Sequence, residues 1–308
     1  EQRNFDQGRE EMGLELSART FLPVFCALFI GDLLNELAYQ IRPYEVEPGR
    51  TDAVFTDVTQ ALAEHITAKP ADPGPPGITA RLLARMHPTV KAQHAQLVLE
   101  QLLSDYYEPA LRAAAARIQN DIEVDYTRPK PIGKITGEFW AQTTEGAGNF
   151  SLFSFLEAHG AEVLVEPVAT WFFYLTHQAW RRLHDERGLR AYTDGFADSL
   201  KDAWRYHMSR LKLRLGYRLV RREYERLRLA LGGTAHAPVD QSELIRLASP
   251  YYNPKCVGVE GHLEIGKTLY YSKHALAHLV LSVKPFGCLP STQSDGAQAA
   301  VQAAHPEI

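Results

Sequence analysis

The alternation of apolar and polar positions predicts a helical first part of the chain. Apolar residues recur with the helical period over residues 21–41, and Pro43 ends that segment. Residues 42–49 are then predicted to be extended, and a second helix is predicted to begin at Thr51. A third helix is predicted over residues 94–120.

The second part of the chain has the pattern of short strands alternating with helices. A short run after a Pro-rich entry predicts a strand at residues 131–137, and short apolar runs predict strands at residues 162–165 and 279–283, the last leading into a turn with Pro and Gly. A helix over residues 150–159, capped by Gly160, joins the first two strands, and this order predicts a parallel sheet with a right-handed crossover. Residues 170–231 and 260–273 are predicted to be helical, as is the stretch from Asp295 onward.

These elements together predict an α/β protein that is rich in helix and contains a small parallel sheet. Residues 1–125 are expected to form a mainly helical region. Residues 126–308 are expected to form an α/β region with a long helical insertion at about 170–250. With 308 residues, of which 45% are hydrophobic, the chain can bury a substantial core. Since the first residue is not Met, we expect a fragment of a larger protein.

Charge and cysteine content narrow the functional classes. The formal net charge of −4 gives no electrostatic case for nucleic acid or an anionic membrane as a partner. The most apolar stretch, residues 21–30, is too short to span a bilayer. The three cysteines are far apart in sequence, which suits a reducing cytoplasm and excludes a closed zinc site built from paired cysteines.

The candidate chemistry lies first at Cys288, in a turn bracketed by Pro and Gly. A predicted strand leads into this turn and a predicted helix leaves it, which places Gly287 and Cys288 at the carboxyl end of a parallel strand. The positive end of a helix favours a thiolate, so we expect this thiol to be ready to bind metal. A buried turn cysteine without chemistry is the alternative. Cys256 could approach Cys288 in space, whereas Cys26 is predicted to be packed in the core.

A second candidate site is the glycine-rich turn before the helix predicted at 150–159. Its residues Glu145, Gly146, Gly148 and Asn149 could present backbone N–H groups to an anion. The spacing matches neither a P-loop nor a dinucleotide fingerprint, so ordinary turn chemistry is the alternative.

Residues 192–231 form a strongly basic predicted helix with aromatic residues interleaved. Such a helix can contact RNA or an acidic partner. Because the whole chain is not basic, the pattern favours a solvated helix that is packed by its aromatic residues.

Three separated groups of residues resemble the large activase-related proteins of the 2-hydroxyacyl-CoA dehydratase system. They are residues 31–35 with 41–46; residues 137–140 with 143–146 and 148–149; and Gly261 and residues 265–267 with 285–291 and 294–296. The resemblance covers nearly the whole chain, and the groups occur in the same order.

The resemblance implies Rossmann-like domains and a [4Fe-4S] cluster on cysteines at the ends of such domains. It also implies ATP-driven, low-potential electron transfer from an activator ATPase to a dehydratase that acts on acyl-CoA. Cys288 is the one cysteine within a matching motif, so the other ligands would come from other segments of the parent protein or from a partner. A lyase or activator activity would then belong to the whole protein, and this segment alone would be inactive.

Two readings remain open beside this one. The chain could be a scaffold or docking module without catalysis, in which Cys288 is a packed turn residue. It could also be a domain that binds CoA or another anion without a cluster.

Overall fold

A computed structural model describes residues 18–69, 75–86, 92–144, 146–193, 200–256 and 261–306. In chain order, its elements are α1 (Ala18–Ile41), α2 (Arg50–Thr67), α3 (Ile78–Met86), α4 (Ala92–Leu103), α5 (Glu108–Asp121), β1 (Ile132–Gly137), α6 (Phe139–Thr143), α7 (Leu152–Ala158), β2 (Glu162–Leu164), α8 (Ala169–Thr193), α9 (Leu200–Ala230), α10 (Gln241–Ala248), α11 (Gly261–Lys273), β3 (Leu279–Val283) and α12 (Leu289–Ala304). The protein is therefore a helix-rich α/β protein, as the sequence predicts.

The sheet has three parallel strands in the order β2-β1-β3. Lys134 of β1 lies opposite Leu164 of β2 and Val280 of β3. The three predicted strands and their parallel pairing are confirmed. In the described part of the chain, β1 is the only strand that pairs with β3, so β3 is an edge strand.

The two faces of the sheet differ in polarity. One face carries apolar side chains, among them Ile135, Val163 and Leu281, which pack against Phe153 of α7 and Tyr39 of α1. The other face meets α11, and charged side chains are buried there. Because side chains alternate between the faces of a strand, the polar residues of β1 and β3 all point toward α11.

The largest apolar core lies among the helices and draws on both predicted regions of the chain. Residues of α1, α2 and α5 share it with residues of α8 and α9. Asp32 of α1 connects the two sets because its carboxylate accepts hydrogen bonds from the backbone N–H groups of Val168 and Ala169, at 2.9 and 2.8 Å. It thereby caps the start of α8, the first helix of the predicted insertion.

Helix α1 is longer and more continuously apolar than the 21–30 stretch suggested. By length and composition alone, residues Pro23–Tyr44 could cross a membrane, but 56% of the apolar window is buried inside the protein. Glu36, on the same helix, is buried and accepts a hydrogen bond from the backbone N–H of His236 at 2.6 Å. A helix buried to this extent is typical of a protein core, and a single apolar helix is weak evidence for a membrane protein.

Several predicted boundaries need correction. The extended segment predicted at 42–49 begins instead with a 3-10 turn, Arg42–Tyr44. The single helix predicted over 94–120 is two helices, because Ser104 accepts a hydrogen bond from the N–H of Tyr106 through its side chain and Pro109 begins a new helical turn.

The last helix, α12, begins at Leu289 rather than near Asp295. Pro290 lies in its first turn, where a missing N–H costs nothing. Cys288 is consequently the N-cap residue of a 16-residue helix.

Candidate functional site at the carboxyl end of the sheet

The site is built around the ends of β1 and β3. The next strand in the chain after β1 is β2, which lies on one side of β1, whereas β3 lies on its other side. Strand order therefore reverses at β1. Open α/β sheets bind ligands at the carboxyl ends of the strands where such a reversal occurs. The two strand ends approach closely: the N–H of Glu138 donates to the carbonyl of Val283 at 2.8 Å. Gly137 makes this approach possible at a φ of 115°, which favours glycine.

The loop that carries Cys288 leaves β3 at this point. Phe286 is fully exposed, and Gly287 has a φ of 78° that turns the chain back toward α12. The carbonyl of Cys288 accepts hydrogen bonds from the N–H and Oγ1 of Thr292, at 2.8 and 2.9 Å. Cys288 is a free cysteine and the residue is partly exposed, and its side chain does not cap the helix. It lies at the rim of the sheet, immediately before the first turn of α12.

The buried carboxylate of Glu264 on α11 fixes this loop through hydrogen bonds. This carboxylate, 2% exposed, accepts hydrogen bonds from the hydroxyls of Ser282 and Ser294 and from Nζ of Lys284, the last at 2.9 Å. Lys284 also donates to Asp295. One buried carboxylate thus joins β3, the start of the loop and α12 on both sides of Cys288.

Replacing Glu264 by Gln is expected to loosen this loop. The amide cannot accept all the hydrogen bonds that the carboxylate accepts, so we expect the free energy of unfolding to fall by about 1–3 kcal/mol. Amide hydrogen exchange should also become faster over residues 284–288. Glu243→Gln is the matched control, because Glu243 is partly exposed and pairs with the exposed Arg246; it should change stability by less than about 0.5 kcal/mol. Unchanged exchange over 284–288 in Glu264→Gln would show that Glu264 does not hold the loop.

A second group of charges is buried on the same face of the sheet, next to Glu264. Glu166, just after β2, forms an ion pair with Lys267 of α11, with Nζ and Oε2 2.6 Å apart. Lys134 of β1 is 0% exposed, and its Nζ lies 4.0 Å from Glu166 Oε1 and 4.7 Å from the centroid of the Tyr271 ring. The Tyr271 hydroxyl donates to Glu166 at 3.2 Å.

These environments shift the pKa values of the group. Burial lowers the pKa of Lys134 to about 8, against the opposing effect of Glu166. Burial alone would raise the pKa of Glu166, but Lys267 and then Lys134 hold it below its ordinary value. A buried carboxylate that lies between two lysine side chains is a costly arrangement to keep inside a protein.

A small cavity of about 20 Å³ adjoins this group. Gln142, Thr170 and Lys267 contribute to its lining. Gln142 Oε1 and Thr170 Oγ1 are buried there without a hydrogen-bond partner. The space suits a single water molecule, which these acceptors would hold, and it is too small for a substrate.

The glycine-rich turn also lies at the carboxyl end of the sheet, but it packs against α6. The side chain of Asn149 is buried and donates to the carbonyl of Ala141 at 3.4 Å. The N–H groups of Asn149 and Ser151 donate to the carbonyl of Gly146, at 3.2 and 2.7 Å. These amides are occupied within the turn, so anion binding would require the turn to open.

The helix predicted over residues 150–159, which follows this turn, also begins later than predicted. Phe150 and Ser151 have φ values of 58° and 55°, and α7 starts at Leu152. Glu145 lies outside the described residues. Anion binding by Glu145, Gly146, Gly148 and Asn149 stays a prediction.

The other two cysteines have different surroundings. Cys26 is 2% exposed and accepts a hydrogen bond from Gln101 Nε2 at 3.1 Å, and burial raises the pKa of its thiol to about 12. It is a core residue, as predicted. Cys256 is exposed in a loop after α10, and the Tyr252 hydroxyl anchors the start of that loop by donating to Gln293 Oε1 of α12 at 2.9 Å. Whether Cys256 supports Cys288 stays a prediction.

Within residues 18–306, as far as they are described, no group of three or more His, Cys, Asp and Glu side chains is arranged to hold a metal ion. Cys288 can supply one thiolate, whereas an iron–sulfur cubane takes four ligands. The described residues therefore do not form a complete cluster site by themselves.

Comparison of the chain with protein-family models, curated proteins and solved structures found no match.

Proposed function

We propose that this chain is a segment of an iron–sulfur protein related to the activase-related proteins of the 2-hydroxyacyl-CoA dehydratase system. Cys288 is proposed as one thiolate ligand of a [4Fe-4S] cluster, and other segments of the parent protein or a partner supply the remaining ligands. The reaction class of the whole protein is ATP-driven, low-potential electron transfer that serves acyl-CoA dehydration. When bound, the cluster supplies one-electron transfer.

The observation that carries this proposal is the position of the Cys288 thiol. Cys288 is a free, partly exposed residue, and it stands at the N-terminus of α12 where strand order reverses. Backbone N–H groups at the start of a helix have no partner within the helix and can contact a ligand there. Glu264 accepts hydrogen bonds from residues on both sides of Cys288 and so fixes the loop. The fixed loop restricts the directions from which Cys288 can bind a cluster.

The surroundings leave room for the segment that would complete the site. A cavity of about 490 Å³ lies between β3, α11 and α12, and Lys284 and Asp295 at the base of the Cys288 loop line it. The outer edge of β3 is unpaired in the described part of the chain, and an unpaired edge can accept another strand. The fully exposed ring of Phe286 adds an apolar contact beside the thiol.

The proposed location is the reducing cytoplasm, where a thiolate ligand stays reduced. The three free cysteines are consistent with that compartment.

Iron analysis of the parent protein tests the proposal. We expect anaerobically purified wild type to contain iron and sulfide, and Cys288→Ser to lose most of both, because a serine hydroxyl is a poor substitute for a thiolate. Cys26→Ser is the matched control, since its thiol is buried in the core; it should keep the iron. Equal iron in wild type and Cys288→Ser would remove Cys288 as a ligand.

A further inference from the structure

The long helix α9 carries a row of exposed apolar side chains along one face. Its members recur every three or four residues, which places them side by side on the helix, and they are Trp204, Met208, Leu211, Leu215 and Leu219. Trp204 is 68% exposed, and the three leucines are between 37% and 48% exposed. Single exposed apolar residues are ordinary on a protein surface, whereas a continuous row marks an interaction site. We call these five residues the leucine stripe.

The opposite face of α9 already packs against the rest of the protein. Cζ of Arg187 on α8 lies 4.3 Å from the centroid of the Tyr206 ring, and the ring centroids of Phe173 and Tyr217 are 5.5 Å apart. Farther along α9, Tyr224 is fully buried in the largest core. The tyrosines of the helix thus anchor it from one side, as the sequence predicts, and the leucine stripe is left on the other side. A helix with apolar residues on two faces is typically covered on both.

Basic side chains border the leucine stripe. Lys212, Arg218 and Arg222 are exposed, and each lies three residues from a leucine of the stripe, hence beside it on the helix surface. The three carboxylates of α9 already pair with other arginines of the same helix. Helix α9 carries ten Lys and Arg against three Asp and Glu, whereas the rest of the chain carries 23 against 34. The positive charge of the chain is therefore concentrated around the stripe.

This charge distribution selects among the surfaces that could cover the stripe. A second copy that docks through the same stripe would bring one basic border against another, and facing like charges disfavour that pairing. An anionic membrane would extend beyond α9 to the rest of the chain, whose excess of carboxylates it repels. Nucleic acid would attract the basic side chains, but leucines offer no surface on which bases stack. A single helix with acidic flanks meets α9 alone and matches both its leucines and its charge.

We propose that the leucine stripe binds an amphipathic helix of another protein, which has apolar residues along one face and acidic residues on both sides of them. The stripe extends over residues 204–219, roughly 22 Å along the axis, so the partner helix has about four turns. The apolar contacts supply affinity, and the basic border excludes partners with basic flanks. The inference does not depend on a cluster at Cys288.

Fluorescence anisotropy with two labelled helical peptides of about three heptads tests the proposal. Both peptides carry Leu at the a and d positions; one has Glu and the other has Lys at the flanking e and g positions. We expect saturable binding of the Glu peptide to the protein, at least tenfold tighter than binding of the Lys peptide. Binding of the Glu peptide should weaken with added salt, because its flanking charges are exposed to solvent.

The double variant Leu211→Gln, Leu215→Gln should weaken binding of the Glu peptide at least tenfold, since it removes the apolar centre of the stripe. The matched control is Leu175→Gln, Leu189→Gln, which removes two exposed leucines from α8 and should change affinity less than threefold. Thermal melting of each variant verifies that it is folded.

Failure of the Glu peptide to bind at millimolar concentration would overturn the proposal, as would equal binding of the two peptides or equal weakening by the two leucine pairs. Sedimentation of the protein alone, with phosphatidylglycerol vesicles and with single-stranded RNA tests the other occupants. Self-association, vesicle binding or RNA binding that the Leu211→Gln, Leu215→Gln variant abolishes would assign the stripe to that occupant instead.

Discussion

The Glu166→Ala variant is expected to lose about 3–5 kcal/mol of unfolding free energy. Removing this carboxylate leaves Lys134 and Lys267 buried next to one another without the charge that compensates them. It also leaves the Tyr271 hydroxyl without its acceptor. Urea denaturation at pH 7, compared with wild type, measures the change.

The Lys134→Met variant should behave differently, although it removes a charge from the same group. Lys134 Nζ makes no hydrogen bond, and burial already lowers its pKa to about 8. Methionine keeps most of the side-chain volume, and Glu166 keeps Lys267 as its partner at 2.6 Å. We therefore expect a change within about 1 kcal/mol, or a gain in stability. A loss of stability as large as that of Glu166→Ala would contradict the view that Lys267 is the main partner of Glu166.

The Gly137→Ala variant is expected to lose about 3 kcal/mol or more and to disturb the site directly. At the φ of 115° of this residue, an added Cβ would lie 2.1 Å from the carbonyl oxygen of Val283. The backbone of β3 must therefore move away from β1, in addition to the strain of an unfavourable φ. Denaturant unfolding measures the loss in stability.

Gly133→Ala provides the matched control on the same strand. The nearest atom to its added Cβ would be the carbonyl oxygen of Glu162 at 3.8 Å, an ordinary contact. Its stability should change by less than about 1 kcal/mol. Similar losses in the two variants would show that the close approach of β1 and β3 is not what makes Gly137 necessary.

The strands and most helices could be predicted because local signals specify them. Pro131 precedes β1, Gly137 ends it and Pro285 follows β3, and the positive φ of Gly160 matches its predicted role as a helix cap. The errors at helix boundaries arose where a single residue overrides the periodic pattern. Ser104 divides one predicted helix, and Pro290 begins another helix early.

The polar interior could not be predicted, since charged residues ordinarily face solvent. In the sequence, Glu264 and Lys267 have the pattern of the exposed side of an amphipathic helix. In the structure, α11 is covered by the sheet and by α10 and α12. Gly266 is part of the reason, because an added Cβ would lie 2.6 Å from the carbonyl oxygen of Leu244 on α10. The polar residues Lys134 and Thr136 alternate with apolar residues in β1, and this pattern was the only sign of a polar face in the sequence. A strand with one face in solvent has the same pattern, so the sequence did not show that this face is buried.

The measurement that tests the central claim most directly is alkylation of the cysteines in the anaerobic wild-type parent protein, before and after a chelator removes its iron. Iodoacetamide labelling, read by mass spectrometry, reports on each thiol separately. We predict that Cys288 is protected while iron is bound and labelled once iron is removed, whereas buried Cys26 stays unlabelled until the protein unfolds. Equal labelling of Cys288 in the two states would contradict its assignment as an iron ligand.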